Sequence, residues 1–246
     1  MKNMLLPTAA LLIVSLARPA SALVYLPTNS LESLLANCPD VVIATVVSTD
    51  VPGDAATIKV ENALKGDAAG TLTVQKLHLR LSLKEKKPRF EPKDTVIVFL
   101  NTTPDGKHSI AHSQTLANEA DRKTMEACVK EVLPHAKILS DLANPKIALD
   151  EKAIKQSLIA LVVSDNPYTQ ILLGRLMSTT LAERVKPDPD VLFLALLSPR
   201  KELKKGALAW TKKFAQLPPK IRLLVQDIAT DPKAGDLAEE AKALLK

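Results

Sequence analysis

The sequence predicts an α+β chain, with a small antiparallel β-barrel in its first half and an all-α helical array in its second. Three observations carry this. Between residues 40 and 113, β-branched runs are separated by turn residues. From residue 118 onward, Asn, Asp or Ser stands ahead of apolar residues at helical spacing, often with Pro directly after it. Near Gln75-Lys76 the apolar alternation changes parity, as it does at a β-bulge where a sheet bends toward closure.

The strands follow in order. Asp40-Val41-Val42-Ile43-Ala44-Thr45-Val46-Val47-Ser48 is nearly continuous in apolar and β-branched residues, the pattern of a strand covered on both faces. Pro52-Gly53-Asp54 signals a turn, and Thr57-Ile58-Lys59-Val60-Glu61 then alternates with Ile58 and Val60 inward. Lys65-Gly66-Asp67 turns the chain again. Leu72 and Val74 share one face, while Leu77, Leu79, Leu81 and Leu83 take the other parity. Residues 84–94 form a polar, basic loop with Pro88 and Pro92. Thr95-Val96-Ile97-Val98-Phe99-Leu100 is a second doubly covered strand, and Pro104-Asp105-Gly106 leads into a last strand over 107–113. Some five short strands joined by turns predict a small barrel.

In the second half, Asn118, Asp150, Asn166, Asp188, Ser198 and Asp231 are the expected N-caps, with Pro167, Pro189, Pro199 and Pro232 directly after four of them. Ile154, Leu158, Leu161 and Val162 form one apolar stripe; Leu203, Ala207, Trp210 and Phe214 form another, best read as core. Helix starts recur at spacings of 38, 32 and 33 residues (150 to 188, 167 to 199, 199 to 232). Paired helices at such periods build a HEAT-like solenoid, and a compact irregular bundle fits the same spacing.

The opening residues read as an export signal. Lys2 is followed by an apolar run from Met4 to Ala17, then by Ala20-Ser21-Ala22, with cleavage expected before Leu23. The run is shorter than the roughly 20 apolar residues that span a bilayer, and no second one follows. The expected organisation is a signal peptide over 1–22, a β-barrel domain over 23–115 and a helical domain over 116–246. The mature chain is expected in the periplasm or outside the cell, without a transmembrane segment.

Composition narrows the function. Hydrophobic residues make up 46%, ample for a core, and the formal charge is +6. Loss of Lys2 and Arg18 leaves 31 basic against 27 acidic residues, a mild excess. With four Phe, two Tyr and one Trp there is little to stack on bases, so no nucleic-acid partner is expected. Among seven glycines no phosphate-cradling motif occurs, and there is no G-x-S-x-G. No catalytic residue, cofactor or metal is predicted. His108 and His112 have metal-ligand spacing on a helix, but on the expected strand they lie roughly 13 Å apart. His78 is expected to face outward, and His135 to satisfy the last carbonyls of a helix.

Cys38 and Cys128 are expected to pair in an oxidising compartment, closing a loop of about 90 residues worth roughly 4–5 kcal/mol. Two separate buried thiols are the alternative that spacing leaves open. Lys84, Lys86, Lys87 and Arg89 could contact an acidic partner, or form a solvated loop. Asn101-Thr102-Thr103 is a glycosylation sequon, relevant only in a eukaryotic secretory pathway.

Two runs carry a resemblance. Leu31-Glu32-Ser33-Leu34 through Asp40-Val41-Val42-Ile43-Ala44-Thr45-Val46, and Ile58-Lys59-Val60-Glu61-Asn62-Ala63-Leu64-Lys65-Gly66, resemble the opening of small bacterial exported barrels with the OB-type fold of the metalloproteinase-inhibitor (TIMP-like) superfamily. Thr71-Leu72-Thr73-Val74 and Asp94-Thr95-Val96-Ile97-Val98-Phe99-Leu100 fit the same strand order. The resemblance covers about residues 30–115 and implies a fold rather than a function. The inhibitor mechanism of that family needs an N-terminal cysteine to chelate zinc, whereas the expected N-terminus here is Leu23. The reading that follows is a non-enzymatic exported binding protein whose partner is an unknown protein or envelope component. A hydrolase of unrecognised type and a structural envelope protein are the alternatives.

Overall fold

The computed structural model describes residues 30–50, 54–75 and 90–246. A short helix, α1 (Leu31–Asn37), leads into five strands: β1 (Asp40–Asp50), β2 (Ala55–Lys65), β3 (Thr71–Gln75), β4 (Thr95–Thr102) and β5 (His108–Thr115). They pair in the order β1-β2-β3-β5-β4, and β4 returns to β1, so the sheet closes into a ring. Closure leaves no unpaired edge along the ring.

The sheet is mixed, where an antiparallel one was expected. Four neighbouring pairs are antiparallel, but β3 meets β5 in parallel through Val74↔His108 and Gln75↔Ser109. The reason is parity. Strand directions can alternate all the way round a ring only if the strand number is even, so five strands force one parallel contact. Gln75 is the last described residue of β3, so Lys76 of the expected bulge, the alternating leucines from Leu77 to Leu83, His78 and the residues of the export signal lie outside the described residues. Register shifts occur instead between Val41/Val42, Ile43/Ala44 and Val46/Ser48 on β1–β2, and between Phe99/Leu100 on β4–β5.

Strand periodicity explains the doubly covered strands. Val42, Ala44 and Val46 of β1 and Val96, Val98 and Leu100 of β4 fill the ring interior, joined by Ile58, Val74, Phe90 and Ile110. The alternate residues Val41, Ile43, Ile97 and Phe99 point to the other face and belong to the core shared with the helices. Gly66 turns the chain after β2 at φ +76; a Cβ there would lie 2.1 Å from Asp40 Oδ1. That carboxylate accepts the N–H groups of Asp67 (3.1 Å) and Ala68 (3.2 Å).

From residue 119 every described element is helical: α2 (Glu119–Val132), α3 (Ala136–Asp141), α4 (Glu151–Val162), α5 (Pro167–Leu176), α6 (Ala182–Arg184), α7 (Pro189–Leu197), α8 (Lys201–Thr211), α9 (Pro219–Thr230) and α10 (Asp236–Leu244). A π-helical turn, Met177–Leu181, joins α5 to α6. Asn118, Asp150, Asn166 and Asp188 cap α2, α4, α5 and α7 by accepting backbone N–H bonds. Two expected caps differ. Helix α8 begins at Lys201 behind Arg200, and Ser198 Oγ instead donates to Gln170 Oε1 at 2.9 Å. Asp231 ends α9, and α10 starts five residues later behind Gly235.

The helices lie in two rows. α4, α7 and α9 are successive neighbours in the first, and α5, α8 and α10 in the second. Each first-row helix packs on the second-row helix that follows it in the chain. α3 extends the first row beside α4, and α2 the second beside α5. α5 and α8 approach closely: a Cβ on Gly206 would fall 2.1 Å from Gly174 O, and one on Gly174 2.4 Å from Glu202 O.

Ring and rows are tied at two places. Arg122 on α2 reaches Glu61 on β2 at 2.7 Å and Glu126 at 3.2 Å. Lys65 Nζ donates to Leu35 O and Cys38 O, both at 2.6 Å, closing the C-terminal end of α1. Among the described residues no helix is long and apolar enough to cross a membrane.

Candidate functional site

The run Val191-Leu192-Phe193-Leu194-Ala195-Leu196-Leu197 is apolar on every side of α7, a pattern that calls for burial all round. Its place in the first row, between α4 and α9 and against α8, covers Val191, Leu192, Ala195 and Leu196. One side stays open: Leu197 is 53% exposed and Phe193 is half-buried. Val163, at the end of α4, and Leu223, on α9, are 63% and 62% exposed. Three of the four exposed large apolar side chains among the described residues therefore fall on the first row. They stand on three helices that are neighbours in that row.

A groove of about 410 Å³ lies between the starts of α7 and α9, walled by Pro189, Phe193, Pro218, Pro219 and Ile221. Proline begins each of these helices because the first turn has no use for its missing N–H. The groove wall is thus made of rigid rings. Asp190 and Lys220 flank it. Lys155 on α4 bridges Asp190 (2.6 Å) and Asp188 (2.9 Å). Its hydrogen bond and charge hold the Asp190 carboxyl below the usual carboxylate range. Lys220 lies beyond ion-pair distance, but its charge also lowers the Asp190 pKa, so the two ammonium groups and the two carboxylates at the groove balance.

A buried polar network fixes the turns beneath this face. Gln170 Nε2 donates to Val162 O (2.9 Å) and Ser164 O (2.6 Å), and its Oε1 accepts from Ser198. Glu131 Oε2 accepts from Ser164 Oγ (2.6 Å) and Thr169 Oγ1 (2.7 Å). Asn166 Nδ2 donates to Thr124 O at 2.9 Å. The turns after α4 and α7 are thereby bonded to α5 and α2, which limits sliding between the rows.

The sequence-predicted residues are not brought together here. Lys84, Lys86, Lys87 and Arg89 lie outside the described residues. The expected bridge is not formed: Cys38 and Cys128 are separate, buried, free thiols. Cys38 sits where Lys65 closes α1, and Cys128 faces Thr169 and Glu131 from within α2. Burial pushes the Cys128 thiol up to about 11. His112 packs its ring on Phe99 with centroids 5.9 Å apart, and His108 buries an Nδ1 without a hydrogen-bond partner. Both are on β5, and among the described residues no group of three or more His, Cys, Asp or Glu could hold a metal. His135 Nδ1 meets Ser157 Oγ at 3.1 Å, rather than closing a helix end, and burial lowers its pKa. Trp210 is buried and donates from Nε1 to Val185 O at 3.1 Å. Asn101 is exposed near the end of β4. The groove residues escaped the sequence reading; the all-apolar α7 and the Pro218-Pro219 pair were the available signals.

No protein-family model matches the chain, and neither a curated protein nor a solved structure does.

Proposed function

We propose that this chain is an exported, non-enzymatic binding protein of the bacterial envelope or exterior, in which a small OB/TIMP-like barrel carries a HEAT-like helical array that docks a partner protein. The observation that carries the reading is the groove between α7 and α9, walled by Phe193, Ile221 and three prolines. Row-on-row stacking of helix pairs supports the solenoid reading over an irregular bundle, since each pair contacts its neighbours in the same way. Such arrays present long faces to peptides and proteins. The groove fits a partner segment with a proline or aromatic anchor against Phe193 and the proline walls. Exposure of Leu197, Val163 and Leu223 weighs against a purely structural array, in which those positions would be covered.

The test places a photocrosslinking amino acid at Phe193 in the exported protein in its own host, with the same label at exposed Lys130 on α2 as control. A discrete adduct from Phe193, lost on Lys220→Glu, supports the reading; equal labelling from both positions refutes it. N-terminal sequencing of the exported protein, expected to begin at Leu23, checks the compartment.

A further inference from the structure

A second cavity lies beside the α8–α9 connection and shares no lining residue with the groove; its volume is about 400 Å³. That is within the range that holds a small organic ligand. Its lining divides into two kinds of surface. Phe214, Leu217 and Leu244, all half-buried, form an apolar floor. Lys212, at the end of α8, Arg222, in the first turns of α9, and Lys246, after α10, are exposed and surround it. The lining includes no acidic side chain. This departs from the rest of the array, where cations are matched: Lys155 with Asp188 and Asp190, Lys201 with Asp236, Lys205 with Glu240. Neither Lys212 nor Arg222 makes an ion pair with another described residue, and Lys246 acts on Glu239 only from beyond ion-pair distance, although each comes from a different segment of the chain and all three line one cavity.

Three cations around one cavity repel one another, and the half-buried floor leaves a small apolar surface in water. Both costs are removed by one kind of ligand, a small amphiphilic anion. We propose that this cavity binds an anionic amphiphile, with a carboxylate or phosphate head held by Lys212, Arg222 and Lys246 and an apolar body laid on Phe214, Leu217 and Leu244. Arg222 supplies a planar fork for two oxygens of such a head, and the lysines supply point charges beside it. The inference is independent of the docking groove, which faces another part of the array.

The chain's one tryptophan, Trp210, lies on α8 one turn before Phe214, so its fluorescence reports on the site alongside calorimetry. The probes are decanoate, decyl phosphate, decanol and decyltrimethylammonium, each below its micelle-forming concentration, on the full chain. Both anions are expected to bind with a single site, decanol at least about tenfold more weakly, and the ammonium compound not at all; exposed charge pairs are worth about two- to five-fold each, so three account for that factor. Affinity for decanoate should exceed that for hexanoate, and fall with added salt. The better of the two anions assigns the head group. Lys212→Gln with Arg222→Gln should weaken anion binding about five- to ten-fold and leave decanol unchanged; both residues are exposed, and circular dichroism confirms the fold. Equal binding of decanol and decanoate, unchanged anion affinity in the double variant, or no anion binding at all would each overturn the proposal.

Discussion

Gly206→Ala should destabilise the helical array even though alanine is the better helix former. The added Cβ would lie 2.1 Å from Gly174 O and 2.7 Å from Gly174 C and Cα, against ordinary contacts of at least 3.4 Å. The obstacle is backbone, so no side chain can rotate away; α5 and α8 must separate by an ångström or more. That separation loosens Leu172, Leu173, Leu176, Leu203, Ala207 and Leu208, all buried along these helices. Overpacking of this kind costs about 3 kcal/mol at the upper end of its usual range. Alanine's helix propensity returns about 1 kcal/mol. The net loss is therefore about 2 kcal/mol, or about 4–8 °C in Tm for a chain of this length. Urea titration followed by Trp210 fluorescence and by circular dichroism measures it, since Trp210 is buried on α8 itself. A variant as stable as the parent, or more so, would refute the close approach of α5 and α8.

Three further outcomes are expected. Arg184 donates from Nη1 to Leu142 O (2.6 Å) and Asn144 O (2.7 Å) and from Nη2 to Ile147 O (3.2 Å), so Arg184→Ala should cost about 2–3 kcal/mol by urea titration, with Arg184→Lys recovering only part because one ammonium cannot span the same carbonyls. Glu32 is 4% exposed with an unpartnered Oε2, and burial raises its pKa despite hydrogen bonding to Ser30 and attraction to Arg175. A raised carboxyl favours folding fully below its unfolded pKa and less as pH rises through the folded value, so Glu32→Gln should stabilise at pH 7 and change little at pH 4. Cys128 should resist iodoacetamide in the native protein at pH 8, both thiols should react after denaturation without reductant, and stability should fall by up to about 2–3 kcal/mol between pH 9 and 11, as the unfolded thiol ionises first; Cys128→Ala should flatten that part of the profile.

The parts of the fold that local rules govern were legible. Continuous apolar runs gave strands with two covered faces, and Val42 and Val41 show why: one enters the ring and its neighbour meets the helices. Side-chain caps marked Asn118, Asp150, Asn166 and Asp188 because each bonds its own first turn. Where a helix start lacks such a cap, the signal failed. α9 opens on Pro218-Pro219 and α10 on Gly235, so the interval after residue 199 was assigned to one helix step instead of two. Ser198 keeps a local bond, accepting the Arg200 N–H at 3.1 Å, but it also donates to Gln170, 28 residues away in the chain, and the helix begins only at Lys201. The parallel β3–β5 contact is likewise a property of ring closure, invisible to any one strand.

The candidate sites were hidden for a related reason, which also explains why charge counting found a loop and missed the cavity. Lys84, Lys86, Lys87 and Arg89 stand out because they are adjacent in sequence, yet adjacency says little about convergence. Lys212, Arg222 and Lys246 are separated by 10 and 24 residues, and only the packing of α10 against both α8 and α9 brings them together. Each is unremarkable in its own segment, one more solvated cation on a helix. What distinguishes them is the lack of the acidic neighbour that Lys201 and Lys205 find across the same helices, in Asp236 and Glu240. At the groove the charges close instead: Lys155 bridges Asp190 and Asp188, two carboxylates to one ammonium, and Lys220 also acts on Asp190. At the cavity the functional signal is a missing partner, and a missing partner is defined only by three-dimensional neighbours. A mild net positive charge is compatible with this distribution, but it is the location of the cations beside apolar surface that makes an acidic, apolar ligand the complementary chemistry there.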